Sequence, residues 1–207
     1  MLMAGLTGSI AVGKSFVVSV MRGLGCHTLD ADQTAREVVA KGTDGLAEIV
    51  LCFGDGVLTA ADELDRKRLG EIVFADEKKR ELLNSIVHPR VVAAQDKWLH
   101  GVMHDDPNGI AVVDAALMIE SGGYRRFDRI IVVWCLPEIQ LERLMKRDRL
   151  SEKDAKRRIA AQMPQDEKKS FADDLIDTSK GFDDTRQQTE ALVRRLREIR
   201  LGENVCY

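Results

Sequence analysis

Gly8-Ser9-Ile10-Ala11-Val12-Gly13-Lys14-Ser15 decides how this chain is read, because it fits the pattern G-x-x-x-x-G-K-[ST]. Before it, Leu2 to Leu6 is a short apolar run of the kind that forms a buried parallel strand. After it, Phe16 to Leu24 carries Val17, Val20, Met21 and Leu24 at helical spacing. Strand, glycine-rich turn and helix together are the context in which this pattern cradles phosphate. Glycines let the backbone curl so that successive N–H groups point inward, at the positive end of the following helix. Lys14 then reaches the β- and γ-phosphates as a point charge, and the Ser15 hydroxyl is placed to ligate Mg²⁺.

Composition narrows the field without naming a reaction. At 207 residues the chain is one domain, or a core with an insertion, and long enough to bury a substantial core. A formal charge of −3 gives no electrostatic footprint for nucleic acid. Cys26, Cys52, Cys135 and Cys206 are widely spaced, with no C-x-x-C pair, and read as reduced, mostly buried thiols of a cytoplasmic protein. No signal-like segment opens the chain, and no apolar run approaches the length that spans a bilayer. A membrane partner is not expected.

Downstream, Gly25 to Leu29 reads as a second strand ending in Asp30-Ala31-Asp32. Ligands of parallel α/β sheets lie at the carboxyl ends of strands, so these acids face the phosphate loop, unless one of them serves only as the N-cap of a helix over Gln33 to Ala40. From Thr34 to about His104 the pattern is helical, with stops at Gly42 and Gly54 and a longer helix starting after His88-Pro89. Proline fits the first turn of such a helix, where its missing N–H costs nothing. Ile110 to Val113 is a buried strand ending in Asp114, an acid placed where phosphate-loop enzymes keep Mg²⁺. Arg129 to Val133 is another strand, and Ala172 to Asp177 a last short one. Alternation of such strands with helices predicts a parallel, doubly wound sheet.

Glu138 to Arg147 and Ala155 to Ala160 read as a helical pair, the second opened by the capping box Ser151-Glu152-Lys153-Asp154. The pair carries Arg143, Arg147, Arg149, Arg157 and Arg158. It reads either as a solvated face or as a lid whose arginines meet the polyphosphate. Thr185 to Leu201 is a terminal helix. The expected architecture is α/β: three layers, α/β/α, with a mostly parallel sheet, a helical acceptor-binding insertion and a helical lid. The core comprises 1–32, 108–137 and 170–207, the insertion 33–107 and the lid 138–169.

A phosphate loop implies a nucleoside triphosphate and Mg²⁺ and leaves the acceptor open. A GTPase switch would carry N-K-x-D, which is absent, and the D-x-x-G match at Asp106 to Gly109 precedes a strand instead of following one. A motor ATPase usually has more chain and gives an arginine finger to a neighbour. The helical insertion and the basic helical pair favour a small-molecule kinase, in which closure excludes the water that would hydrolyse the triphosphate.

Further residues resemble one family of P-loop kinases, the dephospho-CoA kinases. Gly5-Leu6-Thr7-Gly8 with Gly13-Lys14-Ser15 looks like the family's opening motif, and Asp30-Ala31-Asp32 with Ala35-Arg36-Glu37-Val38-Val39 and Gly42 like its second signature. Asp65-Arg66, Leu69, Val73-Phe74, Leu83-Asn84 and His88-Pro89 are similar to its acceptor-binding pattern. Glu120-Ser121-Gly122, Phe127-Asp128, Gln140, Arg143, Arg147-Asp148, Arg158-Ile159, Gln162 and Ala172-Asp173 continue it in order over nearly the whole chain.

The resemblance implies transfer of the γ-phosphoryl of ATP to the ribose 3′-hydroxyl of dephospho-CoA. Lys14, Asp32 and Arg143 are then the catalytic set, with Asp32 orienting or deprotonating the hydroxyl and Asp30 the second choice. Gly8, Ala11, Val12, Gly13, Lys14, Ser15, Phe16 and Arg147 are the expected ATP contacts. Thr7, Asp30, Asp32, Arg66 and His88 are the expected acceptor contacts, although His88 reads equally as a core histidine satisfied by backbone. Ser15 is the expected Mg²⁺ ligand, and Asp114 a second contact through water. The partners implied are ATP and dephospho-CoA, with the protein a monomer or weak homo-oligomer. This chain departs from the family pattern at Ala11, at Phe16, at Ala116-Leu117-Met118 where the family has Pro-Leu-Leu, and at Thr178 where the family has Asn. None of these departures removes a charged group from the chemistry.

Overall fold

The computed structural model describes residues 1–203, with side chains described to residue 200. In chain order the elements are β1 (Leu2–Thr7), α1 (Lys14–Gly23), β2 (His27–Asp30), α2 (Ala31–Glu37), α3 (Asp44–Phe53), α4 (Arg66–Ala75) and α5 (Glu77–Asp105). There follow β3 (Ile110–Asp114), β4 (Arg129–Trp134), α6 (Pro137–Asp148), α7 (Glu152–Ala160), α8 (Gln165–Lys169), β5 (Asp174–Asp177) and α9 (Phe182–Glu203). They divide into two compact units, one of residues 1–30 with 102 onward, the other of residues 31–101.

The first unit holds the sheet. Five parallel strands lie in the order β2-β3-β1-β4-β5. A parallel sheet covered by helices is buried on both faces, so its inner strands are apolar at every position instead of alternating. Ile110 to Val113 and Ile130 to Val133 meet that demand and are buried throughout. The edge strand β5 instead alternates, with Ile176 buried and Leu175 exposed. α1 inserts Val17 and Met21 into a core with Leu2, Leu6, Ile131 and Val133, and α9 closes it with Leu192, Val193 and Leu196. Burying each such side chain is worth about 1.5–3 kcal/mol, which fixes α1, and hence the loop before it, against the sheet. Register sets the site: Leu6 lies opposite Asp114, and Asp30 opposite Asp114 from the other side, at the carboxyl ends of β1, β3 and β2.

The second unit is helical, as the pattern over Thr34 to His104 predicts, with a core of Val39, Ile49, Val57, Leu69 and Ile86. Its helices begin as their sequences dictate: the Thr43 hydroxyl accepts the Leu46 N–H, and the Asp65 carboxylate accepts the Arg68 N–H at 3.0 Å. One expectation fails. The break expected at His88-Pro89 does not occur, and α5 is continuous for 29 residues with Pro89 inside it. Proline removes the donor for the Ser85 carbonyl and disfavours helical backbone at His88. The Arg90 guanidinium donates to the Ile86 carbonyl at 2.7 Å beside this gap, and Ile86 itself is fixed in the core. Local packing and that extra donor outweigh the proline. The short helix α8 carries no apolar periodicity and was not expected.

Candidate active site

The phosphate loop runs from the end of β1 to the start of α1. Gly8 is required there, because a Cβ would stand 2.5 Å from the Val133 carbonyl of β4. Gly13 has φ 88° and Ala11 has φ 61°, both left-handed. For Ala11 this conformation costs about 1–2 kcal/mol. Lys14 is the first residue of α1, and its ammonium pairs with the Asp114 carboxylate. Ser15 follows in the first turn, exposed. Phe16 donates its N–H to the Gly13 carbonyl at 3.1 Å, and its ring packs on Phe182 with centroids 4.7 Å apart.

Beneath the loop lie the strand ends. Asp114 is buried, while its neighbour in register, Asp30, is exposed. Thr7, the last residue of β1, donates its hydroxyl to the Ala116 carbonyl at 3.2 Å. The Lys168 ammonium donates to the same carbonyl at 3.0 Å and to both Glu120 oxygens at 2.7 and 2.8 Å. Lys168 is fully buried, so this pairing is what permits its charge to exist there. Thr7 and Lys168 thereby fix the turn that leaves Asp114, the segment where the family's Pro-Leu-Leu is replaced.

α6 brings Arg143 to the loop. Its guanidinium donates to the Thr178 hydroxyl at 2.8 Å and the Thr178 carbonyl at 2.7 Å, and a Cβ on Gly13 would lie 3.5 Å from it. The Thr178 hydroxyl in turn donates to the Val12 carbonyl at 2.7 Å. Buried Gln140, also on α6, donates to the Ile10 carbonyl at 2.8 Å. Gln162, between α7 and α8, accepts the Ile10 N–H at 2.7 Å. Arg147 is turned instead to Asp148, with bonds of 2.7 and 3.2 Å, and Arg158 reaches the same carboxylate at 2.8 Å. The hydrogen bond from Arg147, ahead of the charges of Arg147 and Arg158, holds the Asp148 carboxyl below its ordinary range. Of the expected capping box the N-cap half is formed, the Ser151 hydroxyl accepting the Asp154 N–H at 3.2 Å, while the Asp154 carboxylate accepts the Ser151 hydroxyl at 2.6 Å.

The first unit thus gathers Thr7, the loop from Gly8 to Phe16, Asp30, Asp114 and Arg143 at the carboxyl ends of the strands. Asp32, Arg66 and His88 belong to the second unit. Asp32 is exposed in the first turn of α2. Arg66 opens α4 and donates to the Arg36 carbonyl at 3.1 Å. His88 is exposed on α5, which removes the reading of it as a core histidine. Sequence reasoning missed the roles of Thr178, Lys168, Gln140 and Gln162. A polar residue among charges carries no periodic signal, and only Gln140, flanked by the apolar positions Ile139, Leu141 and Leu144, could have been suspected of facing inward.

Among the described residues no group of three or more His, Cys, Asp or Glu side chains is arranged to hold a metal. The donors present are oxygens: the Ser15 hydroxyl and the Asp114 and Asp30 carboxylates. That set fits Mg²⁺, which binds through one or two carboxylates or hydroxyls and completes its shell with phosphate and water.

The chain is similar to proteins of known function. The family model for dephospho-CoA kinase matches residues 2–184. A dephospho-CoA kinase of Listeria innocua is 45% identical over 193 residues, covering 92% of this chain and 95% of the relative. One of Arabidopsis thaliana is 40% identical over 202 residues, covering 95% of this chain and 84% of the relative. The solved dephospho-CoA kinase of Campylobacter jejuni superposes with a TM-score of 0.72 at 31% identity, covering 97% of this chain and 98% of that one.

Proposed function

Because this chain belongs to the dephospho-CoA kinase family, we propose a division of labour among its residues for that family's reaction. The enzyme moves the γ-phosphoryl of ATP to dephospho-CoA, giving coenzyme A and ADP. Such transfers pass through a loose transition state, and the protein contributes mostly position and charge. The observation that carries our assignment is the cluster of Lys14, Asp114 and Arg143 around one phosphate loop at the strand ends.

Gly8 to Phe16 cradles the triphosphate. Lys14 exchanges its partner Asp114 for the β- and γ-phosphates, and Arg143, already lying against Gly13, offsets charge that develops on the transferred group. Buried Ser9 supports this reading, since its hydroxyl lacks a partner within the protein and stands within the loop, ready for a phosphate oxygen. Ser15 and Asp114, the latter through water, would hold Mg²⁺, which would neutralise phosphate charge there. The acceptor hydroxyl is oriented by Asp32, with Asp30 the second choice for that role, and Arg66, His88 and Thr7 serve the acceptor. Arg147 joins the ATP contacts by leaving Asp148. We assign the reaction to the cytoplasm, in keeping with the free thiols of Cys26, Cys52 and Cys135. The working unit is a monomer or weak homo-oligomer.

The decisive experiment is an acceptor panel of dephospho-CoA, nucleosides and nucleoside monophosphates, with and without Mg²⁺. ADP should form only with dephospho-CoA and Mg²⁺ together, and Lys14→Ala should abolish it. Equal ADP formation with water as sole acceptor would overturn the assignment.

A further inference from the structure

One residue of the phosphate loop is gripped on both of its backbone polar groups. Gln162 accepts the Ile10 N–H at 2.7 Å, and Gln140 donates to the Ile10 carbonyl at 2.8 Å. The grip continues inward. The Gln165 amide donates to Gln140 Oε1 at 2.8 Å, and Gln165 Oε1 accepts the Cys135 N–H at 3.0 Å at the end of β4. Each amide has one admissible orientation, because backbone groups terminate the network. An N–H needs an oxygen and a carbonyl needs an N–H, so Gln162 must present Oε1, Gln140 must present Nε2, and Gln165 must then face Gln140 with its own Nε2.

The consequence falls on the next residue. In a trans peptide the carbonyl and the following N–H point in opposite directions. With the Ile10 carbonyl drawn toward α6, the Ala11 N–H is turned away from α6. The same argument holds two residues on, where Thr178 takes the Val12 carbonyl at 2.7 Å and so turns away the Gly13 N–H. The residues following these two tethered carbonyls, Ala11 and Gly13, are the two with left-handed φ in the loop. Successive N–H groups turned inward by such backbone make an anion-binding concavity. Strain at Ala11 persists only where the surroundings over-determine it, and Gln140 is the side chain that does so.

We propose that Gln140 and Gln162 are positioning residues for ATP: they hold the two peptides that flank Ile10, Gln140 the one that carries the Ala11 N–H and Gln162 the one before it, so that the loop is shaped for the triphosphate before it arrives. The inference rests on the reading of Gly8 to Ser15 as the ATP site. Neither glutamine touches the reacting atoms; they act through the backbone. The chemistry distinguishes them, because one donates and the other accepts.

The test compares Gln140→Glu with Gln162→Glu in the full chain. Both place the same charge against the same residue, so a general effect of that charge on an anionic ligand is shared. Only the direction of the hydrogen bond differs. Glu at 162 still accepts the Ile10 N–H, whereas Glu at 140 opposes a carboxylate to the Ile10 carbonyl. We expect the KM for ATP and the Kd for ADP to be about tenfold higher for Gln140→Glu than for Gln162→Glu, the effect of one hydrogen bond. The KM for dephospho-CoA should be the same in both. A shift of both KM values together, or equal ATP parameters in the two variants, would overturn the proposal. Gln140→Leu serves if Gln140→Glu does not fold; it removes the bond without adding charge, and unchanged ADP affinity in it would equally overturn the proposal. Calorimetry of the unmodified protein with ADP separates the two levels: no binding there refutes the loop as ATP site, whereas binding that Gln140→Leu leaves intact refutes only the role of the glutamines.

Discussion

Ala11 carries a left-handed φ that a glycine would hold without strain. Ala11→Gly should therefore be tolerated, raising stability by at most about 1 kcal/mol, because relief of strain is partly offset by the freer unfolded chain. Denaturant titration reads this directly, and a loss of more than that amount would mean that the Ala11 methyl packs. Asp32 makes a sharper case. If it orients the acceptor hydroxyl, Asp32→Asn should lower kcat by about 10²-fold or more while leaving ADP affinity nearly unchanged, in line with the scale of general-base contributions. Collapse of ADP affinity would move Asp32 to the metal site. The loop residues were legible in the sequence because glycine, lysine and serine at fixed spacing have few other uses. Thr178 was not: read as a departure from Asn, it is a hydroxyl that serves Val12 and Arg143 at once, and no spacing announces a residue 166 positions from its partner.

At the scale of elements, the inner strands β1, β3 and β4 followed directly from their apolar runs, whereas α5 did not follow from Pro89. Local rules place proline at a helix start, and they were overridden by the packing of Ile86 and the donor supplied by Arg90. Pro89→Ala restores the missing N–H and should stabilise the helical unit by about 1–3 kcal/mol, read from the midpoint of urea unfolding with unchanged slope. A destabilised variant would show that the break in the ladder is itself used. The Arg147–Asp148–Arg158 cluster at the end of α6 has a definite pH sense. Asp148 titrates below its ordinary 3.8, so whatever the cluster contributes is complete above that value and is lost as pH falls through the lowered one. A reader of the sequence could see that this helical pair was basic. That Arg143 turns to the loop while Arg147 turns to Asp148 depends on the α6 rotation set by buried Gln140 and Leu144, which charge counting does not give.

For the molecule as a whole, the thiols report on integrity. Cys26 and Cys135 are buried, and burial pushes the Cys26 thiol up to about 11 and raises that of Cys135, whereas Cys52 is exposed. Iodoacetamide at pH 8 should label Cys52 first, with Cys26 and Cys135 reached only through opening of the sheet unit. Comparable rates at Cys26 and Cys52, followed by peptide mass spectrometry, would mean that the core opens freely. Cys206 lies outside the described residues. The expectation of mostly buried thiols therefore holds for two of the three described, the exception lying in the helical unit. The two tethers on the loop have a last consequence, for synthesis on the ribosome. β1 is the first strand made yet lies inside the sheet, between strands that begin at Ile110 and Arg129. The groups that hold the Ile10 and Val12 carbonyls come later still, at Gln140 and Thr178. A nascent chain stalled before Thr178 thus carries every residue of the phosphate loop but lacks one of the groups that hold its shape, so nucleotide affinity should rise late in translation, once Thr178 has emerged.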